Sequence, residues 1–493
     1  MSHLLFLRFT LNSRINCFYV NWLMALRALS ILAFMALPLR SFSHAFDERY
    51  DLPIPLSFFI YGAMLIVAST YLVSLLFIKK DETPRKLMQT STKENPFLFR
   101  VLPKLEVFAQ ITATFCLFFL IYLAFWGPKN PLMNLSSHFI WINWWIGMPL
   151  LFAIFGSSMH ILDPFDAVIG CFKRISIRYP LYSTSKLMNY LGRWPATLGL
   201  LCWGWIEVVY SNASVPFYLG VLIVFWLVSG IIGSLLIGHA QWNENWNFFR
   251  IYFSYFGTLS PFYRRSDSVH LGRPFIQLVQ QANACRGNVA FVIAMLSVVL
   301  FDGLHSSQVW LAFERLWGPY FDSNGYTLGF MGVVLVWGGF YIVFLAACFL
   351  VPQPVNANAR DKFSFTVYIS EKFAPTLIPI ALAYHLAHNF SSLIIQGQSA
   401  FILLSDPLDQ GLDLFGTANF YPNISIVNAE TVWYVALSSI VIGHVISILL
   451  AHLVALREFK SSVEASKACL PLTILMILFT AVSLIILAEP LAV

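Results

Sequence analysis

Apolar residues along this chain fall into long, nearly uninterrupted runs, and polar residues collect in short segments between them. Windows of about 20 residues, the length a helix needs to cross the hydrocarbon core, pick out ten runs. They are 54–78, 105–127, 138–156, 194–210, 216–239, 288–309, 327–351, 374–397, 431–455 and 469–490, with the fourth the shortest. The pattern predicts an all-α fold, a polytopic helical bundle whose main partner is the lipid bilayer. No low-complexity linker divides it, so residues 44–493 read as a single transmembrane domain.

Composition agrees. Of 493 residues, 58% are hydrophobic and only 11% charged, with a mean hydropathy of +0.71. Soluble domains carry about 25% charged residues, so too little charge is present to coat a globular surface. Soluble enzymes, nucleic-acid binders and disordered chains are thereby excluded.

The net charge of +6 gains meaning once it is divided between the two sides of a membrane. If run 54–78 enters from outside, five loops are cytoplasmic and hold 23 Lys and Arg, seven of them between Lys79 and Lys104. The opposite loops hold three: Arg49, Lys129 and Arg315. One missed crossing would scramble so large an asymmetry. It predicts a multi-pass protein of the bacterial inner membrane with both mature termini outside.

Residues 1–43 read as a leader. From Met24, which offers an alternative start, a charged beginning is followed by about ten apolar residues and by the small residues Ser41 and Ser43; this is a secretory signal pattern. Cleavage after Ser43 would present His44 as the new N-terminus, with amino group and imidazole together, a copper-chelating pair followed by Asp47, Glu48 and Asp51. None of the seven cysteines lies in an outer loop and no CxxC occurs, which argues against disulfides and thiolate metal sites. The aromatic segment Trp242–Phe253, with Arg250, predicts helices lying in the headgroup layer. The outer loop 398–430 carries Asp406, Asp409 and Asp413 and no Lys or Arg. A faint parallel repeat pairs Pro195-Ala-Thr197-Leu198 with Pro375-Thr376-Leu377, and Ile237-Gly238-His239 with Ile442-Gly443-His444.

Chemistry should be sought where lipid would reject a side chain, since an ionisable group at the bilayer centre costs about 2.5–3.5 kcal/mol by insertion scales. The run 374–397 is richest, with His385 and His388 on one helix face beside Tyr384 and Asn389. A rise of 1.5 Å per residue puts them roughly 15–20 Å above the cytoplasmic end and His444 of the next run roughly 16 Å up. His388 and His444 are thus expected at matched depth, with His452 on the His444 face but lower. Pro379 loosens the turn before the histidines. Three such imidazoles suit a transition metal, whether Zn, Cu or Fe; two on facing helices would hold a haem; or the rings would relay protons. Asp302, His305 and Glu207 form a second group nearer the outer face. No P-loop, dinucleotide fingerprint or nucleophile elbow is present.

Three stretches resemble bacterial polytopic membrane proteins of the fenitrothion hydrolase group. They are Arg49-Tyr-Asp-Leu-Pro-Ile-Pro-Leu56, the helix running from Ala374-Pro-Thr-Leu377 through Ala387-His388 to Gln396-Gly-Gln398, and Gly443-His444-Val445 followed by Ala451-His452. The resemblance implies a membrane-bound hydrolase of an organophosphorus triester that works with a second membrane subunit. It matches His388, His444 and His452 but not His385, and the chain departs from it at Asn389, where the group has an aromatic residue, and at Leu453, where it has Asp.

Two function classes follow. In a membrane enzyme, His388 and His444 hold a metal, with His385 as third ligand or base, and the metal-bound water attacks a small apolar substrate; a haem or copper redox enzyme is a variant. In a transporter, the histidines bind a cation or carry protons, while Asp302 and Glu207 form the outer gate.

Overall fold

The computed structural model describes residues 53–78, 96–157, 162–165, 169, 190–265, 268–280, 285–322, 324–353 and 361–488. The expected leader 1–43, the start at Met24 and the candidate His44 lie outside the described residues.

The chain is a helical bundle. In order come α1 (Leu56–Phe77), α2 (Pro96–Trp126), α3 (Leu135–Phe155), α4 (Trp194–Val208), α5 (Pro216–Ile237), α6 (His239–Asn245) and α7 (Phe248–Gly257). A short antiparallel hairpin, β1 (Phe262–Arg265) with β2 (Ser268–Leu271), leads to α8 (Ile276–Gln280), α9 (Asn288–His305), α10 (Gln308–Trp317) and α11 (Tyr326–Leu350). The last are α12 (Lys362–Phe373), α13 (Ile378–Gln396), α14 (Ser399–Ser405), α15 (Ala429–Glu458) and α16 (Ser462–Ala488). Among the described residues nine helical stretches are long and apolar enough to cross a bilayer, which makes this a multi-pass membrane protein.

The tenth expected crossing is α4. Its 15 residues span about 22 Å at 1.5 Å per residue, short of a hydrocarbon core of about 30 Å. It nevertheless advances beside α9 from the same end. Arg193 donates its backbone N–H to Arg286 O at 2.7 Å. Higher up, Gly204 lies so close to Val298 that an added Cβ would come within 2.5 Å of it.

Helix α9 is the centre. Every residue from Asn288 to Phe301 is buried, as an all-round apolar sequence demands. A polar lock ties its start to two neighbours: the Arg193 guanidinium donates to Tyr255 Oη at 2.7 Å and to Asn288 Oδ1 at 2.6 Å. Helices α13 and α15 cross at Gly443, where a Cβ would meet Ala383 Cβ at 2.5 Å and Pro379 O at 2.9 Å. Only a hydrogen in place of a side chain permits this approach.

The aromatic segment after α5 does not behave as a headgroup-layer helix. In α7, Phe249, Tyr252, Phe253, Tyr255 and Phe256 are all buried. They pack on α3 and α4, with Tyr252 stacked on Trp145 at 4.8 Å and Phe249 edge-on to Trp203 at 4.9 Å. Gly238, at φ +96°, ends α5 and turns the chain toward this position. Arg250, the cation expected among lipid headgroups, instead reaches the buried Asp163 at 2.7 Å.

Candidate functional site

Two helices bring ionisable side chains into contact, and a third places one within electrostatic reach. From α9 comes Asp302, from α13 His388 and from α4 Glu207. His388 Nε2 lies 2.7 Å from Asp302 Oδ2, with the two side chains 22% and 25% exposed. Glu207 and Asp302 stand within electrostatic reach of each other. Gly303, next to Asp302, lets the His388 ring approach α9 closely, its Nδ1 lying 3.9 Å from where a Cβ would stand. The expected outer pair therefore shares one site with a histidine assigned to the midplane. The structure joins the two groups that the sequence kept apart.

A fourth element fixes Glu207. Residues Phe139–Gly147 of α3 form a π-helical stretch, a rare geometry that concentrates at functional sites. It sends the Trp145 indole N–H to Glu207 Oε1 at 2.5 Å and presents Ile146 O to His385 Nε2 at 3.1 Å. Trp145 is also edge-on to Trp203 at 5.7 Å. Beneath the carboxylates, Trp145, Trp203, Tyr252, Phe256 and His385 form a buried aromatic layer. Tyr252 lies within electrostatic reach of Glu207, and its hydroxyl, fully buried, has no hydrogen-bond partner.

Above that layer the packing loosens. Every residue of α4 from Trp205, of α9 from Asp302 and of α13 from His388 to Ile395 is half-exposed, whereas the segments leading up to Gly204, Phe301 and Ala387 are largely buried. The stretch of α13 beyond His388 carries Asn389, Ser391 and Ser392, side chains suited to water. Glu207, Asp302 and His388 thus stand where the buried parts of these helices give way to the half-exposed ends that lead to Ser306 and Gly397.

The remaining candidates go elsewhere. His444 is fully buried, its Nδ1 2.8 Å from Ile440 O of its own helix and its Nε2 unpartnered. Because Gly443 meets α13 at Pro379 to Ala383, His444 sits at least five residues, about 8 Å, below His388. The expected match in depth does not hold, since it depended on where each helix was taken to begin. His452 bonds Ile78 O at 3.2 Å, capping the end of α1. His305 packs between Phe301 and Trp310 at 5.6 and 5.4 Å. Tyr384 directs its hydroxyl to Ser483 O at 3.5 Å, and Asn389 donates to His385 O at 3.1 Å.

Among the described residues no group of three or more His, Cys, Asp or Glu side chains converges as a metal centre requires. His385, His388, His444 and His452 face four different partners. Sequence reasoning passed over Trp145 and Tyr252, because an aromatic residue in an apolar run carries no sign that its polar atom will face a carboxylate. No protein family, curated protein or solved structure matches the chain.

Proposed function

We propose that the protein is a proton-coupled membrane transporter whose coupling site is the Glu207–Asp302–His388 group. The observation that carries this reading is the 2.7 Å pair between Asp302 and His388 at the base of the half-exposed helix ends, which we read as the walls of a water-filled crevice. Ionisable groups within a bundle mark ion and proton pathways, and a carboxylate beside an imidazole supplies two proton acceptors in contact. The distribution of Lys and Arg supports an outer-side mouth for this crevice. The buried aromatic layer of Trp145, Trp203 and Tyr252 next to Glu207 supports a closed opposite route, as one state of an alternating-access cycle requires.

The same pair favours a second reading. Asp302 orients His388, and an imidazole so held is a general base for water, in keeping with the organophosphorus triester hydrolase that the resemblance implies. Metal- or haem-dependent variants have less support, because the four histidines do not converge.

The two separate on a solid-supported membrane. Reconstituted protein given a pH jump would show a transient charge displacement, lost in His388→Ala and Asp302→Asn. Absence of displacement in the wild type, combined with triester hydrolysis that the same variants abolish, would replace transport by hydrolysis.

A further inference from the structure

The outer connection between α13 and α15 is braced from within. Its neck is closed by one side chain: Gln398 accepts the Asn423 backbone N–H at 3.0 Å and donates to Asn423 O at 3.3 Å. Inside, Ser405 accepts the Phe415 backbone N–H at 3.0 Å and donates to Asp413 at 2.9 Å, while Thr417 donates to Phe401 O at 3.2 Å. Asp406 accepts the backbone N–H groups of Gln410 and Gly411 at 3.0 and 2.7 Å, and Asp413 accepts that of Ala418 at 3.0 Å. These bonds hold the backbone in place, yet the large apolar side chains of the loop point away from it. Phe401 is 73% exposed, Phe415 64% and Tyr421 89%, and Leu404, Leu414 and Phe420 are exposed beside them. An apolar patch of this size held outward marks an interaction surface.

Depth in the bundle identifies the partner. Helix α14, which carries Phe401 and Leu404, packs against Leu135–His138, the first turn of α3. With 21 residues, α3 is about 31 Å long, a single crossing, so its first turn lies at the outer boundary of the hydrocarbon core. The patch therefore stands at the level of the lipid headgroups, where aromatic rings are favoured. Residues 398–430 contain no Lys or Arg to hold an anionic headgroup. The carboxylates of Asp406 and Asp413 are engaged inside the loop, not aimed at a basic partner. We infer that loop 398–423 is seated in the interfacial layer of the outer leaflet, with its apolar face against zwitterionic lipid. This contact is independent of the transport reading.

Fluorescence in vesicles tests the inference. In a background with the other cysteines replaced, Phe401→Cys and Phe415→Cys each carry an environment-sensitive dye, and the full chain is reconstituted into phosphatidylcholine vesicles. Both residues brace the loop through backbone atoms alone, so the substitutions leave those bonds in place. At both positions the emission is expected at shorter wavelength than that of the same dye on glutathione in the buffer. Lipids bearing a nitroxide near the headgroup should quench it, and aqueous iodide should quench it far less than the glutathione conjugate. Iodide quenching equal to that of the conjugate, with no effect of the lipid nitroxide, would place the face in water, open to a soluble partner, and overturn the inference.

Discussion

Asp302 and His388 face each other across α9 and α13 at 2.7 Å, each less than a third exposed. Neither helix has another link of this kind to the other among the described residues. Removing one partner leaves the second half-buried and unpaired, so single and double substitutions should not add. A double-mutant cycle with Asp302→Asn and His388→Gln is expected to give a coupling energy of about 1–3 kcal/mol, read from denaturation of the purified protein. Additive losses would mean that the contact contributes nothing to stability.

The crossing of α13 and α15 depends on Gly443. In Gly443→Ala the new methyl would stand 2.5 Å from Ala383 Cβ and 2.9 Å from Pro379 O, closer than real atoms approach. The helices must separate, at a cost of about 1–3 kcal/mol. Adding Ala383→Gly removes the nearer of the two clashes and should restore part of the loss. The Pro379 carbonyl, a backbone atom that cannot turn away, keeps the rescue partial. Melting temperatures of the three proteins decide the point.

These two contacts show what a sequence can and cannot reveal about such a bundle. Hydropathy located every long helix because lipid imposes length and apolarity one segment at a time. Ionisable residues within the runs, among them Glu207, Asp302 and His388, were legible for the same reason. Which of them meet was not, because depth depends on where each helix begins. Helix α12 joins α13 through a 3-10 turn at Ala374–Leu377, and α15 continues to Glu458, beyond its expected end. The position of α7 was equally hidden. Its arginine and aromatic residues suit a headgroup layer, and only the partner Asp163, far away in the chain, draws Arg250 inward. The π-helical stretch of α3 follows no apolar period that a reader could detect.

That stretch yields its own prediction. Trp145 reaches Glu207, and Ile146 presents its carbonyl to His385, from within the π-helical stretch. Deleting Asn143 would return the segment to ordinary α-helical phase, because π-helices carry one residue more per hydrogen-bonded turn. The residues before the deletion would then rotate by about 100° relative to those after it. Trp145→Phe removes the indole N–H and the second ring but leaves the helix phase unchanged. The deletion should abolish the pH-jump displacement while Trp145→Phe reduces it. Equal behaviour of the two proteins would show that the π geometry is not needed at the site.

Access to thiol reagents tests both the crevice and its sidedness. In a background with the other cysteines replaced, Ser392→Cys lies on the half-exposed part of α13 and should react with a membrane-impermeant maleimide in right-side-out vesicles. Ser297→Cys, on the fully buried part of α9, should stay unlabelled. Cys285 lies in the segment before α9 at the opposite end of the bundle, so it should react in inside-out vesicles alone. Its thiol is pushed above its ordinary pKa, chiefly by burial. Since the thiolate is the reactive form, less of it exists at neutral pH than for a free cysteine. Labelling of Cys285 should therefore be slow at pH 7 and keep accelerating above the pH at which a free thiol has levelled off. Exchange of the two patterns, with Ser392→Cys labelled in inside-out and Cys285 in right-side-out vesicles, would reverse the assignment of the crevice mouth to the outer face.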